Sequence, residues 1–381
     1  MAQITTEVEA FARIKVFGCG GSGKNALNHM INSKVKGVEF IGVNTDAQDL
    51  HNTQAKKKIH IGKNLTRGLG TGMNPELGKR AAEETREELQ EAIKGADMVF
   101  IAGGEGGGTF TGSAPIVAKT AKEMGALTVA VTTKPFFFEG AQRLRLADQG
   151  LEELRKVVDA IIVIPNDRLL SAISKETTAK AAFAMCDEVL RQAVEGISDL
   201  ITTPGIINLD FADIRSILEN AGSALIGIGS ATGEKRAEEA AKQAINSPLL
   251  ELSINGAKGV LFSIAGGDDL TMFEIQDAAK VITESIDPNA KVIFGTIKDE
   301  KLKKGEIKIT VIASGFPDGA RSKPLFTPEK SVIEDKSKIF STIMPSSKEA
   351  PKVTVPEEKK VLEDVDDDWG AVPAFLRRTK K

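Results

Sequence analysis

The chain has 381 residues and a formal net charge of −3, from 50 lysines and arginines against 53 aspartates and glutamates. This length suits two packed domains, and the balanced charge excludes a general electrostatic attraction to nucleic acid or to an anionic membrane. The sequence has two distant cysteines and no leader-like segment, which indicates a reduced, cytoplasmic chain. No apolar run approaches the ~20 residues that span a bilayer, so direct membrane insertion is not expected.

The first half of the chain alternates short apolar runs with helical patterns. RIKVFGCG (13–20), NALNHMINS (25–33) and EFIGVNTD (39–46) form a βαβ unit, and a polar helix is expected from about residue 76 to 94. This alternation predicts an α/β fold with a doubly wound, mostly parallel sheet. The later elements are strands at 97–104, 126–135 and 159–167 and helices at 113–125 and 142–157.

The second half begins with a long periodic helix, which starts near residue 175. Apolar runs and helical patterns follow it, as expected for a second, smaller α/β domain. The runs lie near 223–230, 256–265, 291–297 and 306–313, and the helical patterns at 233–246 and 271–284. Residues 317–366 are rich in Lys, Glu, Ser and Pro, which predicts a disordered linker. The apolar cluster in 367–381, with the only Trp, is typical of a peptide that docks on a partner.

Two glycine-rich loops follow predicted strands. GCGGSGKN (18–25) fits G-x-G-x-x-G and nearly fits a P-loop, but Asn25 stands where a magnesium-binding hydroxyl belongs. The second loop, GGEGGGTFTG (103–112), precedes another helix. Two such loops gather backbone N–H groups and helix N-termini around one anion, which suits a di- or triphosphate. Asp46 ends the second strand, where a dinucleotide-binding fold has the acid that binds the ribose. An NAD-binding oxidoreductase is therefore an alternative.

Phe183 and Asp187 are four residues apart on the long helix and therefore share one face. A carboxylate accepts the two donors of the guanine edge, which adenine lacks, and a ring can stack on the base. The same pair could equally be a core phenylalanine beside a solvated aspartate. Asp210 and Asp213, three apart at a helix start, could be a simple N-cap and a first-turn acid.

These segments together resemble the FtsZ/tubulin family of cell-division GTPases. GGEGGGTFTGSAP resembles the signature GGGTGTG, and the other similar segments are NTDAQDL, LTRGLGTGMNPELG, KPFFFEG, IPNDRLL, INLDFADIRSIL and, near the end, VPAFLRR. The resemblance covers about residues 14–316 and resumes at the tail. It implies a GTP-binding domain (1–174), a central helix (175–202), an activation domain (203–316), the linker (317–366) and a partner-binding tail (Asp367 to Lys381).

The resemblance also implies a GTP/GDP site. It places Asn166 beside the base, Glu139 and Arg143 near the ribose and phosphates, and Asn25 and Asn44 in the pocket lining. The implied nucleotide-binding residues are Gly20, Gly21, Ser22, Gly23, Lys24, Asn25, Asn44, Thr71, Gly72, Met73, Asn74, Gly106, Gly107, Gly108, Thr109, Phe110, Thr111, Gly112, Thr133, Glu139, Arg143, Asn166, Phe183 and Asp187.

Catalysis is expected to require assembly. In the family pattern, Asn208, Asp210 and Asp213 project into the nucleotide pocket of the next subunit, and such a head-to-tail contact propagates as a filament. Mg²⁺ is expected on the phosphates, held mostly by water and phosphate oxygens, and His29, His51 and His60 show no metal-ligand spacing. The implied protein is a GTPase of the division ring at midcell, which binds itself and, through its tail, membrane-tethering and regulatory division proteins. A GTP-binding assembly regulator that does not hydrolyse GTP is the other alternative.

Three residues depart from the family pattern. Phe110 replaces a glycine, and a bulky residue at positive φ would be strained. Either Phe110 keeps an ordinary φ and its ring turns away to pack over the loop, which is our prediction, or the loop is altered and binds phosphate more weakly. Ser22 and Lys24 replace the commoner glycine and asparagine, and Lys24 could add charge near phosphate or extend into solvent.

Overall fold

The structure, a computed structural model, describes residues 12–171, 176–247, 254, 256–299 and 302–316. The strands are β1 (Ile14–Cys19), β2 (Val38–Asn44), β3 (Lys57–His60), β4 (Met98–Gly104), β5 (Leu127–Lys134), β6 (Ala160–Pro165), β7 (Gly222–Thr232), β8 (Gly259–Gly266), β9 (Lys291–Lys298) and β10 (Glu306–Ser314). The helices are α1 (Gly20–Asn32), α2 (Ala47–His51), α3 (Lys63–Thr66), α4 (Pro75–Glu84), α5 (Arg86–Ile93), α6 (Thr109–Glu123), α7 (Ala141–Arg155), α8 (Asn166–Ser171), α9 (Ala179–Thr202), α10 (Phe211–Leu218), α11 (Arg236–Ile245) and α12 (Met272–Thr283), with a 3₁₀ turn at Phe137–Glu139.

All ten of these strands belong to one sheet, in the order β3-β2-β1-β4-β5-β6-β7-β10-β8-β9. The strands from β3 to β7 pair in parallel, β10 runs antiparallel to both of its neighbours, and β9 is parallel to β8. The order of the first six strands is that of a doubly wound sheet. The predicted fold class, α/β with a mostly parallel sheet, is therefore confirmed.

Helices cover both faces of the parallel part of the sheet. Val16 belongs to an apolar cluster that includes residues of α1, α9 and α10, and the next residue, Phe17, belongs to a second cluster with residues of α4 to α7. Successive side chains of a strand point to opposite faces, so strands buried on both sides read as continuous apolar runs. A third apolar cluster lies between α11, α12 and the strands β7, β8 and β10.

Several local expectations differ from the structure. The polar helix expected at 76–94 is two helices, because Thr85 (φ −109°, ψ 22°) leaves helical geometry. Its hydroxyl donates to the Ala81 carbonyl at 3.2 Å and accepts from the Gly62 N–H at 3.2 Å, which ties the break to the chain before α3. Helix α6 begins four residues before the expected Ser113, within the glycine loop. The short elements α2, β3, α3 and α8 were not predicted, because four to six residues carry too little periodicity.

The two halves of the sheet meet at β6 and β7. These strands pair only from Ala160↔Gly222 to Ile162↔Ala224. Beside this join, the buried Asp159 accepts hydrogen bonds from Thr128 N at 2.9 Å and Asn220 N at 3.4 Å, and it pairs with Lys122 at 2.9 Å. The division into a domain before α9 and one after it stays a prediction, and the expected linker and tail lie outside the described residues.

Helix α9 runs between the two halves. It has 24 residues and is therefore about 36 Å long; it is capped at its start by the Thr178 hydroxyl, which accepts from Ala181 N at 3.2 Å. In the part of the chain that the structure covers, no helix combines the length and the apolar character that crossing a bilayer requires.

Candidate nucleotide site

A cleft of about 390 Å³ opens where β1, β4, β5 and β6 end. Crevices at the carboxyl ends of parallel strands are the usual ligand sites of such sheets. Both glycine loops, the turn after β5 and the first turns of α9 form its walls. Its lining residues are Gly20, Gly21, Ser22, Asn25, Gly104, Glu105, Gly107, Thr109, Phe110, Thr133, Pro135, Glu139, Arg143, Asn166, Phe183, Cys186, Asp187 and Leu190.

The first glycine loop turns directly from β1 into α1. Gly20 has a φ of +71°, which an L side chain rarely adopts. A Cβ at Gly23 would lie 2.7 Å from the Ala102 carbonyl oxygen, so α1 packs too closely on β4 for a larger residue. Ser22 accepts a hydrogen bond from the Gly104 N–H at 2.7 Å and thereby ties the first loop to the end of β4.

The second glycine loop leads from β4 into α6. Gly106 has a φ of +86°, and a Cβ at Gly107 would meet no atom within 4 Å. The N-terminus of α6, at Thr109, therefore faces open space beside Gly107, where an anion can approach the backbone. The two loops thus leave open space beside the N-terminus of α6, which fits the predicted phosphate ligand.

Phe110 lies within α6 at an ordinary helical φ, as predicted. Its backbone nitrogen faces the cleft, since a Cβ on Gly20 would lie 3.4 Å from it. Phe110 is buried, with only 2% of the residue exposed, and its ring contacts Gly103, where a Cβ would overlap the ring. The ring thus turns away from the cleft, but it packs inward into the core and not over the loop.

The far end of the cleft is bounded by α8 and α9. Phe183 is 49% exposed, and its ring packs nearly perpendicular to that of Phe136, with ring centroids 5.4 Å apart. Asn166 is buried, and its Oδ1 has no hydrogen-bond partner among the described residues. Burial raises the pKa of Asp187 to about 6, an effect that His29 and Lys24 oppose. A ring, an unpaired amide oxygen and a half-buried carboxyl suit a flat base with polar edges.

Glu139 and Arg143 both line the cleft. They form the expected i,i+4 ion pair, and Glu139 also accepts a hydrogen bond from the Phe136 N–H at 2.9 Å. The Arg143 Nε is buried without a partner in the described part of the chain. A guanidinium held in this way retains donors for a ligand.

Lys24 and Asn44 converge on Asp49 instead of lining the cleft. The Lys24 ammonium contacts one carboxylate oxygen of Asp49 at 2.6 Å, and the Asn44 amide donates to the other at 2.8 Å. Asp46, considered above for a ribose, accepts a hydrogen bond from the Asp49 N–H at 2.9 Å as the N-cap of α2. Lys24 thus pairs with a carboxylate, and the structure supports neither of the two alternatives for it, a charge near phosphate or an extension into solvent.

The loop before α4 lies against the second glycine loop. The Thr71 hydroxyl is 3.2 Å from the Thr109 hydroxyl, and Asn74 caps α4 by accepting from Leu77 N at 3.2 Å. Eleven predicted residues lie outside the cleft lining, and their nucleotide contacts stay predictions. They are Gly23, Lys24, Asn44, Thr71, Gly72, Met73, Asn74, Gly106, Gly108, Thr111 and Gly112.

Five lining residues were not predicted. Cys186 and Leu190 follow Phe183 at helical spacing on α9, so the periodicity of that face could have identified them. Gly104 ends β4, and Pro135 directly follows β5. Glu105 is a charged residue inside a run of glycines, a signal that was visible in the sequence.

The predicted catalytic residues lie away from this cleft. The Asp210 carboxylate caps α10 by accepting a hydrogen bond from the Ala212 N–H at 3.3 Å. The Asp213 carboxylate accepts one from the Asp210 N–H at 3.4 Å. Asn208 accepts from Gly205 N at 2.7 Å. Asp210 and Asp213 thus serve as the N-cap and first-turn acid considered above. Asn208 and Asp210 are nevertheless exposed.

Helix α10 lies at the opposite ends of the central strands. Arg215 donates to the Gly125 carbonyl at 3.3 Å, just before β5, whereas Thr133 lines the cleft near the end of β5. Strand β5 has eight residues, a length of roughly 26 Å. The acids of α10 therefore cannot reach the cleft of their own chain.

Comparisons with known proteins agree with this geometry. Residues 13–174 match the model of the Tubulin/FtsZ family GTPase domain, and residues 222–317 match that of the FtsZ family C-terminal domain. An empty FtsZ dimer from M. jannaschii is 47% identical, with a TM-score of 0.76 over 80% of this chain and 88% of that one. The GTPγS-bound protofilament of CetZ2 from Haloferax volcanii shares the fold at 21% identity, with a TM-score of 0.69 over 80% of this chain and 94% of that one.

Proposed function

Because the chain belongs to the Tubulin/FtsZ family, in its FtsZ branch, we propose that it binds and hydrolyses GTP and assembles head-to-tail into filaments of the cell-division ring. The observation that carries the proposal is the separation between the glycine-lined cleft and the acids of α10. A site whose phosphate cradle and acids lie at opposite ends of one molecule is completed when a second copy stacks on the first.

In that arrangement, hydrolysis occurs in trans. Asn208, Asp210 and Asp213 of one subunit enter the cleft of the next and orient the water that attacks the terminal phosphate. Of the carboxyls that line the cleft, Asp187 and Glu139 have base and ribose roles in our proposal, and Glu105 is buried within the second glycine loop. The neighbour therefore supplies the carboxylates that orient the water. Since the contact joins two different surfaces, it does not close on itself, and it extends into a filament.

Exposed apolar side chains support such a contact at both ends. Beside the cleft, Leu69, Phe137 and Phe138 are 69%, 71% and 60% exposed. At the other end, on the loop before α10, Ile206 is 77% exposed. Large apolar groups concentrated around functional residues indicate surfaces that another protein covers.

Mg²⁺ is part of the proposal as a companion of the triphosphate. Among the described residues, no group of three or more His, Cys, Asp or Glu side chains is placed to hold a metal ion. In our proposal the ligands of this ion are mainly phosphate oxygens and water, as is common for Mg²⁺. When bound, it would neutralise charge on the terminal phosphates.

The proposal is tested by sedimentation with GTP or GDP, combined with phosphate release at increasing protein concentration. We expect pelleting with GTP and Mg²⁺, little with GDP, and a specific rate that rises with concentration because each site needs a neighbour. A rate per molecule that is independent of concentration would contradict completion in trans. Binding of GTP with no phosphate release would instead identify an assembly regulator.

Guanine recognition by Asp187 predicts a dependence on pH. The carboxylate must be ionised to accept two donors, so GTP affinity should fall as the pH drops through about 6, the value to which burial raises the pKa of Asp187. Asp187→Asn should lose about 1–3 kcal/mol of preference for GTP over ATP and lack this dependence. Competition binding from pH 5 to 8 measures both effects. The exposed Asp277→Asn serves as the control, and equal competition by GTP and ATP in the unaltered protein would overturn the assignment.

The tail predicts a separable partner function. Removal of Asp367 to Lys381 should leave GTPase activity and polymerisation intact and abolish recruitment to a membrane-tethering partner at the division site, because this segment follows a linker of low apolar content. Trp369, the only tryptophan, reports binding through its fluorescence anisotropy. Loss of polymerisation in the truncated chain would contradict this separation.

A further inference from the structure

Glu105 is a buried carboxyl within the second glycine loop. It lies between Gly104 and Gly106 and is only 4% exposed. Neither of its carboxyl oxygens has a hydrogen-bond partner among the described residues. The nucleotide role proposed above uses the backbone of this loop and gives the Glu105 side chain no function.

The Glu105 side chain lies between the loop and α7. A Cβ added at Gly150 of α7 would lie 2.6 Å from Glu105 Oε2, so the carboxyl occupies the space that this glycine leaves open. The Glu105 N–H donates to the Thr133 carbonyl at 2.9 Å, and the Gly106 N–H donates to the Thr111 hydroxyl at 3.0 Å. The loop backbone is thus anchored on both sides of a residue whose side chain fills the space beneath it.

The neighbouring charges would not balance a negative charge on the Glu105 carboxyl. On α7, Arg143 pairs with Glu139 and Glu153 adds a further negative charge, while Lys134 at the end of β5 pairs with Asp148 at 2.7 Å. In the part of the chain that the structure describes, no ion pair involves Glu105. Burial, reinforced by Glu153 and opposed by the Thr111 hydroxyl, raises the pKa of Glu105 to about 8. The carboxyl is therefore mostly neutral at pH 7.

We propose that Glu105 is a positioning residue of the second glycine loop, which it holds in its phosphate-binding form only while its carboxyl carries a proton. Ionisation requires water, so the carboxylate leaves the space beside Gly150 and displaces the loop that carries it. A bound phosphate also disfavours a second negative charge nearby. By reciprocal linkage, nucleotide binding near pH 8 takes up protons.

The inference rests on the proposed function, and it is tested by GDP affinity from pH 7 to 9. We expect the affinity of the unaltered protein to fall about tenfold over this range, the change in the neutral fraction of a group that titrates near pH 8. Glu105→Gln keeps the shape without the titration, so its affinity should lack this fall. Because both proteins bind the same ligand, the ratio of their affinities removes the ionisation of GDP itself.

A second variant separates titration from a purely structural role. Glu153→Gln removes the neighbouring charge, which lowers the pKa of Glu105 and should move the fall in affinity to lower pH. Calorimetry in two buffers of different ionisation enthalpy should show proton uptake on GDP binding near pH 8, absent in Glu105→Gln. If Glu105→Gln does not fold, Glu105→Met provides a neutral side chain of similar length.

The outcomes are distinct. Parallel pH profiles for the unaltered protein and Glu105→Gln, with normal binding at pH 7, would overturn the role of Glu105 and leave the proposed function standing. Failure of the unaltered protein to bind GDP at any pH would overturn the proposed function, and this inference with it.

Discussion

Replacing Asp210 or Asp213 with asparagine is expected to lower GTP turnover by about 10²–10⁴-fold while GTP affinity stays nearly unchanged. Asparagine retains the capping ability of the aspartate, so α10 should keep its start and only the charge is lost. The affinity is preserved because these residues lie at the opposite strand ends from the cleft of their own chain. Single-turnover phosphate release and equilibrium binding measure the two quantities separately.

Mixing two defective proteins tests the trans arrangement directly. Asp213→Asn has an intact cleft, and Asp187→Ala has intact acids on α10. Together they should hydrolyse GTP faster than the sum of the two alone, because one supplies the cleft and the other the carboxylates. Glu219→Gln, which alters an exposed carboxylate at the other end of α10, is the control and should retain its activity. No gain on mixing, or full activity in Asp213→Asn, would contradict the assignment.

Phe110→Gly is expected to destabilise the protein by about 3–5 kcal/mol through loss of a fully buried ring, with roughly 1 kcal/mol more from glycine within a helix. The folded protein should still bind GTP within about tenfold of the normal affinity, or ~1.4 kcal/mol. The reason is that the backbone nitrogen of Phe110 faces the cleft and its ring faces Gly103. Urea unfolding followed by circular dichroism measures the stability.

Phe110→Leu is the matched control, since it keeps an apolar group in the same core and should lose much less stability. Unchanged stability in Phe110→Gly would place the ring outside the core. A large loss of affinity at normal stability would place it in the phosphate site instead.

The parallel half of the fold was predictable because its strands are buried on both faces. Residues such as Val16 and Phe17 both enter apolar cores, so β1 reads as an uninterrupted apolar run. The break at Thr85 was not predictable, because it depends on a hydrogen bond with Gly62, which is distant in sequence. The two glycine loops could be read as a phosphate site because strand ends in a parallel sheet must meet at one edge.

Side-chain directions within the site were harder to predict. Asp46 stands at a strand end in the sequence, yet its carboxylate caps α2, and Lys24 pairs with an aspartate 25 residues away. Phe110 was expected over the loop, because the sequence does not reveal that Gly103 leaves space for a ring beneath it. Such outcomes depend on which neighbour offers space or a partner, and that is a property of the packed structure.

The short pairing between β6 and β7 has a mechanical consequence. Most neighbouring strands in the sheet are paired along their length, but here the backbone pairing runs only from Ala160↔Gly222 to Ile162↔Ala224. Beside it, the Asp159 carboxylate accepts hydrogen bonds from the backbone on both sides. A rotation of one half of the subunit against the other would strain the fewest backbone hydrogen bonds at this seam. In the proposed filament, the seam is therefore where a subunit is expected to bend when its neighbours impose a twist.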